Sequence, residues 1–249
     1  IHGLLAHSYH LVNEIKKGPI KSLVLSSGEV LQTKTIIIAT GAKWRELGVP
    51  GEKENIGNGV AYCPHCDGPF FKGKEVSVVG GGNAGIEAAL DLSGIVKLVT
   101  VLEFMPEFKA DKILLDRAKS KVNIKLISNA ETKKIISKNG KVIAIQYKNR
   151  NTDTNNQIEI EGVFIQIGLI PNSQFLKNIV NLSKHGEVII NEHGETSEKG
   201  IFACGDATTV PYKQIIISMG EGAKAALSAS DYLMKFMPIN QNDGASVSA

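Results

Sequence analysis

Apolar residues in this chain fall in short β-branched runs, divided by glycine-, serine- and asparagine-rich turns and by helix-like stretches. Residues 20–25 and 30–38 are two such runs, and the Ser26-Ser27-Gly28-Glu29 link between them predicts a β-hairpin. The second run ends Ile36-Ile37-Ile38-Ala39-Thr40-Gly41, a buried-strand pattern closing on a turn. Glu75-Val76-Ser77-Val78-Val79 predicts a strand, and residues 83–93 predict a helix capped by Asn83 and stopped by Gly94. Residues 98–102 give the next strand and complete a βαβ unit. A helix over about 111–119 and a strand near Ile124 follow. Residues 131–149 and 157–167 read as successive strands, with turns at Asn139-Gly140 and at Asp153-Thr154-Asn155-Asn156. Residues 197–207 hold a short strand ending at Gly205-Asp206, and the small-residue run 222–233 closes the pattern as a helix. Strand and helix in alternation predict an α/β fold.

Two motifs interrupt this pattern. Cys63-Pro64-His65-Cys66-Asp67-Gly68 places a C-x-x-C pair with its second cysteine fourteen residues before Gly80. Such a pair interconverts dithiol and disulfide with little backbone movement, carrying two electrons. Gly80-Gly81-Gly82-Asn83-Ala84-Gly85 fits G-x-G-x-x-G between the predicted strand and helix, the setting in which the motif holds a pyrophosphate. A C-x-x-C is also half of a zinc site, but a structural site needs four ligands. The remaining cysteine is Cys204, and no H-x3-5-H pair follows. Gly220-Glu221-Gly222-Ala223-Lys224-Ala225 mimics the fingerprint, yet no second strand follows, so its small residues predict close helix packing. Glu103 stands eighteen residues past Gly85 at a strand end, where an acid bonds the ribose 2′-hydroxyl of NADH and repels the phosphate of NADPH. Together the two motifs suggest a nicotinamide-fed disulfide reductase.

Composition narrows the class. At 249 residues the chain predicts one or two domains, and 43% apolar with 21% charged residues is ordinary for a globular enzyme. A formal charge of +3 gives no case for nucleic acid, and no apolar run approaches the roughly 18 residues of a membrane span. No signal-peptide pattern and three cysteines lead us to expect a cytoplasmic protein. Opening on Ile1 rather than Met, the chain reads as a fragment, a processed product or a trimmed form.

The motifs Cys63-Pro-His-Cys-Asp-Gly-Pro-Phe-Phe-Lys-Gly-Lys, Gly80-Gly-Gly-Asn-Ala-Gly-Ile-Glu-Ala-Ala and Gly205-Asp-Ala-Thr-Thr-Val-Pro-Tyr-Lys-Gln-Ile occur in one order. In that order they resemble the flavoprotein component of bacterial alkyl hydroperoxide reductases, whose core is similar to low-molecular-weight thioredoxin reductase. The resemblance covers nearly the whole chain. It implies two doubly wound, Rossmann-like domains: an NADH-binding domain over 58–161 carrying the cysteine pair, set within an FAD-binding domain made of 1–57 and 162–249.

The same resemblance implies the chemistry. NADH binds at Gly80 to Gly85 and reduces FAD, and the flavin reduces a Cys63–Cys66 disulfide. Cys66 faces the flavin, Cys63 is the interchange thiol, and Asp67 is the candidate proton donor and acceptor. For Asp67, an N-cap role stands equally open. His65, read from its own chemistry, is a spacer that tunes the couple, with a direct proton role as the alternative. Thr40 and Gly41 lie near the flavin, Asp206 after Gly205 bonds its ribityl chain, and Lys213, Gln214 and Ile215 line its ring edge. The acceptor is a peroxiredoxin, reached through a thioredoxin-like N-terminal module absent here, and the protein is a homodimer. The family's first glycine fingerprint is also absent, so the flavin domain is expected to be incomplete and the chain by itself nearly colourless. Two alternatives stand beside this reading: a thioredoxin reductase, and a truncated non-catalytic nicotinamide-binding fragment.

Overall fold

The protein is described by a computed structural model over residues 10–236. It divides into two compact units, one formed by residues up to Lys43 together with those from Ile170 onward, the other by Trp44–Leu169. The inserted unit takes in residues on both sides of 58–161.

The discontinuous unit opens with an antiparallel meander, β1 (Val12–Lys16), β2 (Lys21–Leu25) and β3 (Val30–Thr33). The predicted strand over 30–38 is in fact two. The Thr33 hydroxyl donates to the Thr35 carbonyl at 2.8 Å and accepts the Thr35 N–H, turning the chain locally. Beyond that turn β4 (Ile36–Ile38) leaves the meander, and β5 (Ala42–Trp44) carries the chain into the inserted unit.

Within the inserted unit β6 (Val60–Ala61) leads to the short helix α1 (Pro64–Asp67), and then β7 (Glu75–Val79), α2 (Asn83–Ser93), β8 (Leu98–Leu102), α3 (Lys112–Lys119) and β9 (Ile124–Ile127) follow. A second antiparallel meander comes next: β10 (Ala130–Lys138), β11 (Lys141–Asn149) and β12 (Thr154–Glu159). Its first turn, Asn139-Gly140, has both residues at positive φ, the geometry that suits a tight hairpin. The predicted strand over 157–167 also divides, because β13 (Gly162–Ile165) departs to the parallel sheet. That sheet has the order β6-β13-β7-β8-β9, with every pair parallel.

Strand alternation explains how this sheet is buried on both faces. Val76, Val78, Val99 and Val101 point to one side and pack with Ile86, Ala89 and Leu92 of α2 and Ala118 of α3. Val79, Leu102, Val163 and Ile165 meet Ile135, Val142 and Ile145 of the meander on the other. At about 25 cal/mol per Å² of apolar area, these two faces are what the valine-rich runs contribute to stability.

β14 (Leu169–Pro171) returns the chain, and β15 (Ile201–Ala203) pairs in parallel with β4. Ile36, Ile38, Ile201 and Ala203 share a core with Ile15, Leu176 and Val188. The last helix, α4 (Ile215–Phe236), begins seven residues before the predicted 222, and Gly220 and Gly222 lie inside it. The second glycine match is therefore helical, as its small residues suggested.

Candidate active site

The glycine turn follows β7 and opens α2. Gly80 has φ +120°, where a side chain is strained, and a Cβ there would overlap the Gln166 carbonyl. A Cβ on Gly85 would overlap the Gly80 carbonyl, and one on Gly81 would press on the Glu103 carboxylate and the Phe108 ring. The turn is therefore built from glycine at three tight points. Its N-cap is Gly82, which has no side chain to occupy the first N–H groups of α2. Open N–H groups and the helix dipole form an anion cradle, which fits a dinucleotide pyrophosphate.

Asn83, the expected cap of this helix, does not cap it. It is the first helical residue, and its amide clamps Asp111: Asn83 Nδ2 donates to Asp111 Oδ2 at 2.9 Å, and the Asp111 N–H donates to Asn83 Oδ1 at 2.8 Å. Asp111 precedes α3, so the pair ties the starts of two helices together. Glu103 follows β8 beside the turn. One carboxylate oxygen accepts the Gly81 N–H at 2.5 Å and the other the Met105 N–H at 2.7 Å. Glu103 and Gly80 line a common cleft of about 460 Å³, with Val49, Pro50 and Phe104 among its walls.

Cys63 and Cys66 form a disulfide, their Cα atoms 5.3 Å apart, within the range an unstrained bridge spans. Cys63 is itself the N-cap of α1: its sulfur accepts the Cys66 N–H at 3.2 Å. Cys63 is half-buried and Cys66 exposed. Asp67 sits before the 3₁₀ turn Gly68–Phe71 but makes no side-chain cap bond there, so the capping reading of this carboxylate loses its basis. His65 Nδ1 lies 3.6 Å from Asp91 Oδ2 on α2, an exposed pair. Trp44, Tyr62, Cys63, Asp67 and Phe70 line a second cleft of about 460 Å³.

In the discontinuous unit, Gly41 takes φ +66°. The turn at Thr40-Gly41 is locked by Asn172: the Thr40 hydroxyl donates to the Asn172 carbonyl at 2.7 Å, and the Asn172 amide returns a bond to the Thr40 carbonyl at 2.9 Å. Asp206 lies in a 3₁₀ turn after Gly205, and one of its oxygens accepts the Ser218 hydroxyl of α4 at 3.1 Å. The Gln214 carbonyl accepts the Ser218 N–H at the start of α4, where Ile215 is 82% exposed. Lys213 is turned to the Thr208 carbonyl and to Glu187, at 2.5 and 3.2 Å. A carboxylate acceptor beside a helix start fits a hydroxyl-bearing chain such as the ribityl group. Cys204 is 5% exposed, and burial with the nearby Glu221 charge pushes its thiol up from the usual range.

Sequence reasoning missed Glu52, Tyr62, Gln166 and Asn172. Gln166 and Asn172 act through partners more than a hundred residues away, and Glu52 through loop N–H groups and the Tyr62 hydroxyl; residue type alone carries no sign of either.

The fold, with a glycine turn and a disulfide in one unit, is of the pyridine nucleotide-disulphide oxidoreductase class. A family model for pyridine nucleotide-disulphide oxidoreductases matches residues 6–225, and the chain belongs to that family. It is 52% identical over 219 residues to the F component of alkyl hydroperoxide reductase from Pseudomonas putida, covering 88% of this chain and 42% of that protein. It is likewise 52% identical to a protein of Bacillus subtilis (strain 168) named NADH dehydrogenase, covering 89% of this chain and 43% of that one. The chain thus spans less than half the length of these curated relatives. Among solved structures, thioredoxin reductase from Streptococcus pyogenes superposes with a TM-score of 0.85 at 36% identity, covering 91% of this chain and 74% of that one.

Proposed function

We propose that this chain is the reductase core of a flavin-dependent disulfide reductase that draws electrons from NADH and passes them through Cys63 and Cys66 to a peroxiredoxin. The observation that carries this is the Cys63–Cys66 disulfide in the same unit as a glycine turn with no room for a side chain at Gly80, Gly81 or Gly85. The 52% identity to an alkyl hydroperoxide reductase component supports the peroxiredoxin as acceptor.

Gly80 to Gly85 and the start of α2 would hold the NADH pyrophosphate, with Glu103 on the ribose. Thr40, Gly41, Gly205, Asp206, Lys213, Gln214 and Ile215 would hold FAD. Together the bound cofactors supply transfer of an electron pair to a disulfide. In this reading the inserted unit is the nicotinamide domain and the discontinuous one the flavin domain.

The chain's own residues do the rest. Reduction breaks the Sγ–Sγ bond of Cys63 and Cys66 and adds two electrons and two protons. Asp67, next to Cys66 and free of capping duty, serves the proton at the dithiol. The Cys63 thiolate then attacks the acceptor disulfide, and Cys66 resolves the mixed disulfide. His65, between the two cysteines and beside Asp91, is a spacer that tunes the couple. We place the protein in the cytoplasm as a homodimer. Exposed Ile216, Met219 and Leu227 on α4 favour association, and no described helix is long and apolar enough to cross a membrane.

The superposition on thioredoxin reductase favours a second reading, with thioredoxin as acceptor. Full-length protein containing this core decides between them. NADH oxidation supported by a peroxiredoxin and not by thioredoxin is expected, and the reverse preference would install the second reading.

A further inference from the structure

Glu52 is 1% exposed, and a carboxylate so placed needs donors to offset its lost hydration. It has three. The Leu47 N–H donates to Oε1 at 2.8 Å, the Gly48 N–H to Oε2 at 2.6 Å, and the Tyr62 hydroxyl to Oε1 at 2.8 Å. Leu47 and Gly48 belong to the wall of the cleft that holds Gly80 and Glu103, whereas Tyr62 belongs to the cleft that holds Cys63. One buried carboxylate therefore ties a wall of each cleft to the other.

Tyr62 is held at its other end as well. Gln166 Nε2 donates to the Tyr62 carbonyl at 2.8 Å, and the Tyr62 ring stacks on Trp44 with centroids 6.1 Å apart and planes at 19°. Gln166 is fixed in turn by its N–H on the Val79 carbonyl at 2.8 Å, with its own carbonyl packed against Gly80. The next residue after Tyr62 is Cys63, in extended conformation at φ −116° and ψ 102°. Helix α1 has four residues and cannot fix that entry by itself.

We propose that Glu52, Tyr62 and Gln166 are positioning residues for the Cys63–Cys66 couple, clamping the main chain that enters Cys63 so that its sulfur stays within bonding reach of Cys66. This rests on the pair being a redox couple, and not on the nature of its electron donor or acceptor. A clamp on one thiol raises the effective concentration of each sulfur at the other, which favours the disulfide over the dithiol.

The test uses the 249-residue chain. Chain and glutathione are brought to equilibrium, acid-quenched, and scored by differential alkylation of Cys63 and Cys66. Two glutathione molecules give up two electrons and two protons as the Cys63–Cys66 bond breaks, and leave joined as glutathione disulfide. Tyr62→Phe removes the hydroxyl and keeps the stacked ring; Gln166→Leu removes the amide donor at similar volume. Each is expected to lower the equilibrium constant for the disulfide about tenfold, roughly 30 mV towards a less reducing couple. Because the two act on one residue, the double variant should lose less than the product of the two.

Equilibrium constants within twofold of the parent in both variants would overturn the proposal, even with a lower thermal midpoint, since that is a scaffold role alone. Loss of folding in both would count against it for the same reason. A parent chain whose pair never equilibrates with glutathione would instead refute the redox reading, and the proposal with it.

Discussion

At the level of a single side chain, Glu103 is the residue proposed to set the choice of nucleotide. Its carboxylate is held by the Gly81 and Met105 N–H groups, so its charge is fixed at the rim of the cleft proposed to receive the ribose. Each oxygen keeps a lone pair for a 2′-hydroxyl, and a 2′-phosphate meets a charge that cannot swing away. Full-length protein is expected to favour NADH over NADPH at least tenfold in kcat/KM, about 1.4 kcal/mol or more. Equal efficiency with both nucleotides would remove Glu103 from this role. Cys204 shows the opposite behaviour, since burial keeps its thiol protonated at neutral pH. Native alkylation should label reduced Cys63 and Cys66 and spare Cys204, and Cys204→Ser should leave electron transfer unchanged; a disulfide containing Cys204 in mass spectra would contradict this. Tyr62 adds a pH signature. Burial, reinforced by the Glu52 hydrogen bond, raises its phenol above the ordinary value of about 10. The folded state then holds this proton more tightly than the unfolded state. The stabilisation is complete below about pH 10 and is lost as pH climbs through the raised value. Urea unfolding of parent and Tyr62→Phe should therefore differ more at about pH 8 than at about pH 11. A gap that widens with pH would contradict the assignment.

At the scale of elements, local chemistry was readable and long-range partnership was not. The turn from Gly80 to Gly85 is visible in sequence because its glycine spacing is local, the Gly80 carbonyl meeting the Gly85 position directly, whereas the contacts of Gly80 with Gln166 and of Gly81 with Glu103 and Phe108 are not. Gly85→Ala should accordingly cost about 1–3 kcal/mol of stability through overpacking. It should also abolish NAD⁺ binding by calorimetry; retained binding with unchanged stability would mean that the turn relaxes freely. The break between β3 and β4 was invisible, because no glycine or proline marks the Gln32-Thr33-Lys34-Thr35 stretch while the partners change from β2 to β15. The start of α4 was equally hidden: Ile215-Ile216-Ile217 is β-branched and reads as strand, yet it is helix. Asn83 misleads for a related reason. An asparagine at a helix start favours capping, but Asp111, 28 residues on, takes its side chain. Glu52 gives no signal at all, since an acid among charged neighbours predicts a solvated surface.

For the whole molecule, the two proposed nucleotide sites differ in how much of each the described residues supply. The inserted unit has a parallel sheet covered on both faces, a glycine turn, an acid at the next strand end and the disulfide. In the discontinuous unit the proposed flavin residues supply a turn at Thr40-Gly41, the Asp206 carboxylate and the start of α4. None of these is a glycine turn that receives a pyrophosphate, and the one such fingerprint in the sequence lies at Gly80. Much of the grip on a dinucleotide comes from that contact, where backbone N–H groups and a helix dipole meet the charged phosphates. The 249-residue chain by itself is therefore expected to bind NADH and to hold FAD poorly. Purified from cells and passed over a desalting column, it should show a visible flavin band far below one equivalent, and NADH should not reduce its disulfide. The same core within a protein of its relatives' full length should carry stoichiometric flavin and reduce the pair. A full equivalent of flavin on the chain alone would show that Asp206 and the start of α4 suffice, and the division of labour between the two units would have to be redrawn.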